Sequence, residues 1–264
     1  MPTPATGGEP ANYLTRLSTL TLSSFTQLLR PVSHPQSGEA ARKLQRHASL
    51  LIALGAVAVV ALMFGFDAHE ISLMPSRGAP DLWPIRILTD FGKAANVVWA
   101  VAGLLLIVAL VAPRLQGTAR SRLLRFGTEL QFIFLAVVVP ILAGELIKWV
   151  VGRGRPFVGG EANAFNFSHF AGTQAYASFP SAHAITAAAL AFAVSAVWPR
   201  ARGAMIVYAL LIIASRLVLL AHHPSDVIAG AVIGVIGAMG VRYWFAARRL
   251  GFGIGQNGAI TPPI

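Results

Sequence analysis

The 264-residue sequence contains no cysteine, which removes disulfides, thiolate-bound zinc and thiol nucleophiles from the chemistry open to it. Charge is scarce, at 12% of residues, and negative charge is scarcer, with ten Asp and Glu against 21 Lys and Arg. These few carboxylates form no obvious cluster of the kind a hard cation needs. No apolar core appears in residues 1–47, a Thr-, Ser- and Pro-rich stretch with scattered charge, so a signal peptide is not expected there. Basic patches interleaved with aromatics are also missing. The formal charge of +11 therefore points away from nucleic acid, and towards anionic lipid headgroups and an anionic substrate. No internal repeat recurs at a fixed period.

Apolar residues are plentiful. They make up 55% of the chain, and the mean hydropathy of +0.65 is that of a membrane protein. Six runs are long enough to cross about 30 Å of hydrocarbon as helices: residues 48–66, 94–112, 130–151, 182–198, 204–220 and 227–245. Glycine and alanine are frequent in the fourth and sixth, which lets helices approach closely. The expected fold class is all-α, a polytopic membrane bundle of six transmembrane helices. Residues 13–30 carry leucines at 14, 17, 20, 22, 28 and 29 and form either a short surface helix or a disordered tail.

Fourteen of the 21 basic residues fall in one set of alternate connections. By the positive-inside bias, that set and both termini are expected in the cytoplasm. Three connections, 67–93, 152–181 and 221–226, are then exocytoplasmic, and the unusual polar residues gather on their side. Lys148 closes the third run and Arg155-Pro156 follows it; Pro180-Ser181-Ala182-His183 opens the fourth; Arg216, His222 and Asp226 join the fifth to the sixth. Three cations brought together need an anion to offset their repulsion, and phosphate suits them. His222 is either a nucleophile or a base, with Asp226 four residues on to orient its imidazole. A helix starting after Pro180 leaves the amides of Ala182 and His183 and the Ser181 hydroxyl facing outward, where an oxyanion binds. Glu145 and Lys148 share a helix face and are expected to pair. Arg153 fits none of these patterns and is expected to face lipid heads or water, and His223 to be pocket wall.

Lys148-x6-Arg155-Pro156, Pro180-Ser181-Ala182-His183 and Ser215-Arg216-x5-His222-x3-Asp226 resemble, in order, the three motifs of the type 2 phosphatidic acid phosphatase (PAP2) superfamily of membrane lipid phosphate and pyrophosphate phosphatases. The resemblance implies a six-span phosphatase domain over residues 48–246, between cytoplasmic tails at 1–47 and 247–264. It implies that His222 attacks phosphorus to form a phosphohistidine, that Asp226 fixes its tautomer, and that His183 protonates the leaving oxygen and later activates water. Lys148, Arg155, Arg216, Ser181 and the Ala182 amide would bind the phosphoryl oxygens. Neither a metal nor another cofactor is implied. Ala182 departs from the family's usual glycine and would forfeit a backbone angle open only to glycine. The implied partners are membrane lipids and a lipid phosphate or diphosphate substrate in a bacterial inner membrane. Undecaprenyl diphosphate is slightly favoured on family prevalence, with a lipid A phosphatase or a lipid-to-lipid phosphotransferase as the alternative and a non-catalytic lipid-binding or transport protein as a further rival. Oligomeric state is not legible.

Overall fold

The computed structural model describes residues 12–76, 78–160 and 162–263. Residues 1–11 of the expected N-terminal tail, Arg77 of the charge count and Ile264 lie outside them. The helices are α1 (Tyr13–Leu28), α2 (Ser37–Gly65), α3 (Asp67–Leu73), α4 (Trp83–Asp90), α5 (Ala94–Val111), α6 (Gly117–Val151), α7 (Ala182–Val197), α8 (Arg202–Val218) and α9 (Pro224–Ala247). Two short strands, β1 (Gly253–Ile254) and β2 (Ile260–Thr261), pair antiparallel near the C-terminus.

Each of the six apolar runs is a helix, and α2, α5, α6, α7, α8 and α9 form the bundle of a multi-pass membrane protein. Two of them outrun their hydropathy: α2 starts at Ser37 and α6 at Gly117. Residues 37–47 and 117–129 are rich in Ala, Glu, Lys, Arg, Gln and Leu, so each helix continues into water once it is nucleated. Hydropathy marks where lipid ends, not where a helix ends. Among the described residues, five stretches have the length and composition of a span; the sixth, α7, has only 16 residues, or roughly 24 Å. It is surrounded by protein rather than lipid. Ten of its residues are buried, and it packs against α6, α8 and α9. Exposed Leu, Ile and Val on α2, α5, α6 and α8, such as Leu54, Val57, Leu106, Leu142 and Leu210, supply the outward apolar surface that hydrocarbon requires.

At the bundle end opposite the motifs, the chain after α9 folds back. Phe252 meets Phe132 at 4.7 Å between ring centroids, Phe132 meets Phe245 at 5.5 Å, and Arg242 donates to the Ile260 carbonyl at 2.7 Å. Of the two forms open to residues 13–30, the chain adopts the helix, tied by Tyr13 to the Leu110 carbonyl and by Trp244 to the Leu28 carbonyl. In the connection between α2 and α5, α4 presents Trp83 and Ile87 outward, Phe91 is exposed directly after it, and Lys93 stands at the start of α5.

Candidate active site

Helix α6 ends at Gly152, whose φ of 55° is left-handed; a Cβ there would lie 1.9 Å from the Ser168 carbonyl oxygen. Glycine is required at this turn. Beyond it, the described residues of 152–181 lack long regular elements but are pinned by backbone bonds. Ser168 N donates to Gly152 O at 2.7 Å, Gly154 N to Asn166 O at 2.8 Å, and Ser178 N to Arg153 O at 3.0 Å. Arg155 is thereby held facing the α8–α9 turn, with Nε on the Gln174 carbonyl at 2.9 Å and Nη1 on the Ala221 carbonyl at 3.3 Å. Ala221 immediately precedes His222.

His222 is buried, and its Nδ1 lies 2.8 Å from the Ser178 carbonyl oxygen. A carbonyl can only accept, so Nδ1 carries the ring proton and Nε2 keeps its lone pair. The tautomer expected from Asp226 is set instead by Ser178: Asp226 Oδ2 stands 3.8 Å from Nδ1, beyond hydrogen-bond length. Burial pushes the His222 pKa down to about 4, with Asp226 opposing the shift and Arg155 and Arg216 adding to it, so the imidazole is neutral at pH 7.

Asp226 is wholly buried at the start of α9. Its Oδ1 accepts from Arg153 Nη1 at 2.7 Å, and its Oδ2 from Ser178 Oγ at 2.6 Å and His223 N at 2.8 Å. Its carbonyl accepts from Ser181 N at 3.0 Å, which joins the starts of α9 and α7. Ser181 caps α7 with a long bond from Ala184 N to its Oγ, 3.5 Å. Ala182 is the first helical residue and is not among those with positive φ. The glycine-only angle is therefore not used here, and the Ala182 methyl breaks no backbone requirement. His183 Nε2 is buried without a hydrogen-bond partner among the described residues, and Arg216, His222, Lys93 and Arg155 all lie within electrostatic reach of that ring. Arg216 Nη1 donates to Thr89 Oγ1 on α4 at 2.7 Å. Lys148 stands apart from this bonded set at the end of α6, its ammonium paired with Glu145 as the spacing predicted. His223 is fully buried, and neither of its ring nitrogens is hydrogen-bonded among the described residues.

The expectation for Arg153 is overturned. Far from facing lipid or water, it is 1% exposed and ion-paired with Asp67 and Asp226. Asp67, Ser178, Ser225 and Thr89 were also missed. One signal for Asp67 was available: an acid directly following an apolar span is costly unless something pairs with it. Nothing local in the sequence indicated that Arg153 was its partner.

An imidazole with a free Nε2, a second histidine and two arginines at one end of a helical bundle together suit phosphoryl transfer. Comparison with known proteins supplies the family. Residues 129–250 match the PAP2 superfamily. A lipid A 1-phosphatase of Rhizobium etli is 33% identical over 72% of this chain and 81% of its own length. The chain belongs to the PAP2 superfamily. A lipid A 1-phosphatase of Rhizobium johnstonii is 31% identical over 84% of this chain and 90% of its own. No solved structure matches. The protein is a PAP2-type membrane lipid phosphatase, and the relatives carry the name of the alternative substrate, lipid A, rather than undecaprenyl diphosphate.

Proposed function

We propose that this PAP2 phosphatase removes the 1-phosphate of lipid A through a phosphohistidine on His222. The observation that carries the mechanism is the 2.8 Å bond from His222 Nδ1 to the Ser178 carbonyl, which leaves Nε2 unprotonated for attack. The activity named for both relatives supports the substrate. In the first step the Nε2–P bond forms as the bond from phosphorus to the sugar oxygen breaks, and His183 gives that oxygen a proton. In the second, His183 takes a proton from water, the water oxygen bonds to phosphorus, and inorganic phosphate leaves Nε2. Arg155, Arg216, Lys148, Ser181 and the Ala182 amide meet the charge on the equatorial oxygens. Lys148 does so by exchanging Glu145 for the phosphate. The phosphatase domain spans residues 48–246 in the bacterial inner membrane, with the site facing the periplasm and both termini in the cytoplasm.

The test presents detergent-purified protein with lipid A, undecaprenyl diphosphate, phosphatidylglycerol phosphate and phosphatidate. Phosphate release is measured, and mass spectrometry identifies which lipid A phosphate is lost. Lipid A is expected to exceed the others in kcat/KM by at least about tenfold, roughly 1.4 kcal/mol of transition-state preference. Activity should survive EDTA and be blocked by vanadate, and His222→Gln should abolish turnover. Faster release from undecaprenyl diphosphate, loss of the other lipid A phosphate, or labelled phosphate appearing on a second lipid would each overturn the assignment.

A further inference from the structure

Asp67 lies outside the three motifs and Arg153 occupies an unspecified position of the first, yet they are among the most completely buried charged groups of the described residues. All five N–H donors of Arg153 are occupied within the chain. Nε and Nη2 reach the Ala164 carbonyl at 3.0 and 2.7 Å, Nη2 also reaches Asp67 Oδ2 at 2.8 Å, and Nη1 reaches Ser225 Oγ at 2.6 Å and Asp226 Oδ1 at 2.7 Å. This arginine has no donor left to offer a phosphate, which separates its role from that proposed for Arg155 and Arg216. Asp67 Oδ1 accepts from Ser225 N at 3.0 Å, and its Oδ2 accepts from Ser225 Oγ. The first exocytoplasmic helix, α3, is thus bonded to the same turn of α9 that carries Asp226.

The charges in this cluster do not balance. One guanidinium faces two carboxylates, and burying an unpaired charge is expensive. A third carboxyl nearby, Glu70, has its pKa raised to about 7, first by burial and then by Asp67 and Asp226. The pocket therefore already resists further negative charge. The group that the excess faces is His222, 3.8 Å from Asp226 Oδ2. When Nε2 bonds to phosphorus while Nδ1 keeps its proton, the ring becomes a cation, and the pair charge balances at that moment.

We infer that Asp67 and Arg153 are positioning residues for the His222 reaction: they clamp Asp226 in place and hold a residual negative charge against the imidazole as it turns cationic. The inference rests on the reading of His222 as the nucleophile. Arg153 fixes Oδ1 of Asp226, so that Oδ2 is left for Ser178, the His223 amide and the developing imidazolium. Asp67 holds Arg153 and Ser225, which fixes the clamp from the side away from the substrate.

The experiment compares the full-length enzyme with Asp67→Asn and Arg153→Lys, using lipid A as substrate. It records kcat, KM, phosphoenzyme formed in a single quenched turnover, and the thermal midpoint. Asp67→Asn keeps the shape of the side chain while removing its charge and exchanging one of its two accepting oxygens for an NH2 donor. Both variants are expected to lose about 10–100-fold in kcat, by analogy with the loss when hydrogen-bond partners of metal-ligating residues are removed, with KM within about threefold of the parent and phosphoenzyme formation slowed in parallel. A kcat per folded molecule within about threefold of the parent overturns the inference, as does a rise in KM at unchanged kcat. A lowered thermal midpoint with unchanged kcat means the cluster is only a structural staple, and overturns it as well. If neither single variant folds, the double variant Asp67→Asn/Arg153→Met, which leaves no unpaired arginine, is judged by the same kcat criterion. His222→Gln separates the two readings. If it stays active, the nucleophile assignment fails; if it is dead while Asp67→Asn and Arg153→Lys turn over normally, only the positioning role fails.

Discussion

Glu70 is buried on α3 with neither carboxylate oxygen hydrogen-bonded among the described residues. An acid in that position stays folded most easily when it is neutral, and its pKa is raised from 4.5 to about 7. Between those values the native state binds more protons than the unfolded chain, so stability falls as pH rises through that window and stays reduced above it. Glutamine cannot ionise. Glu70→Gln is therefore expected to raise the thermal midpoint at pH 8 by about 2–4 °C, and to leave it unchanged or slightly lower at pH 5, by differential scanning fluorimetry in detergent. A midpoint lowered equally at both pH values would show that the carboxylate is needed as an anion. The same residue-scale logic accounts for Ser178, which serves the site twice. Its carbonyl sets the His222 tautomer and its hydroxyl binds Asp226.

The contact between α7 and α9 is made by backbone. A Cβ on Gly230 would lie 2.5 Å from the Ser181 carbonyl oxygen, and one on Gly234 would lie 2.4 Å from that of Ile185. Two small residues four apart let α9 touch the first turns of α7, lined there by Ser181, Ala184, Ile185 and Ala189. This closeness is what allows the Ser181 amide to reach the Asp226 carbonyl. Gly230→Ala is expected to push α9 outward, at about 1–3 kcal/mol in stability, and to lower kcat by disturbing the start of both helices. Gly240 lies on the same helix, and a Cβ there would meet nothing within 4 Å. Gly240→Ala is therefore expected to be neutral or to stabilise by up to about 1 kcal/mol. Thermal midpoints and turnover of the two variants check this, and equal effects at both positions would mean the glycines act through helix propensity alone.

Across the whole molecule, α6 runs for 35 residues, roughly 52 Å, from the end rich in arginine to the end that carries the site. In the proposed topology, with the arginine-rich end in the cytoplasm, the loop holding Asn163 is expected to face outward and Thr118, at the start of α6, inward. Both positions are exposed, and the chain has no cysteine to confuse the result. Asn163→Cys should react in spheroplasts with a thiol reagent that cannot cross the inner membrane, whereas Thr118→Cys should react only after lysis. The opposite order of labelling would put the site on the cytoplasmic face.

Five of the membrane helices were legible in the sequence because solvation by hydrocarbon is a local demand: about 20 consecutive apolar residues satisfy it whatever their neighbours do; α7, shorter and packed in protein, was legible only as an apolar, alanine-rich run. The motif residues were legible for a related reason, since His183, Arg216 and His222 sit at helix ends where polar groups are costly and hence conspicuous. The Glu145–Lys148 pair follows from helical spacing alone. What the sequence could not decide were the long-range partnerships. Arg153 reaches Asp67 across 86 positions and Asp226 across 73, and no periodicity encodes such a pairing. The His222 tautomer hangs on a backbone carbonyl 44 residues away, and every residue has a carbonyl, so residue type carried no hint of it. Local composition determined where this protein meets lipid and where its chemistry gathers; only the packing of α3, the 152–181 loop and α9 against one another decided which groups hold that chemistry in place.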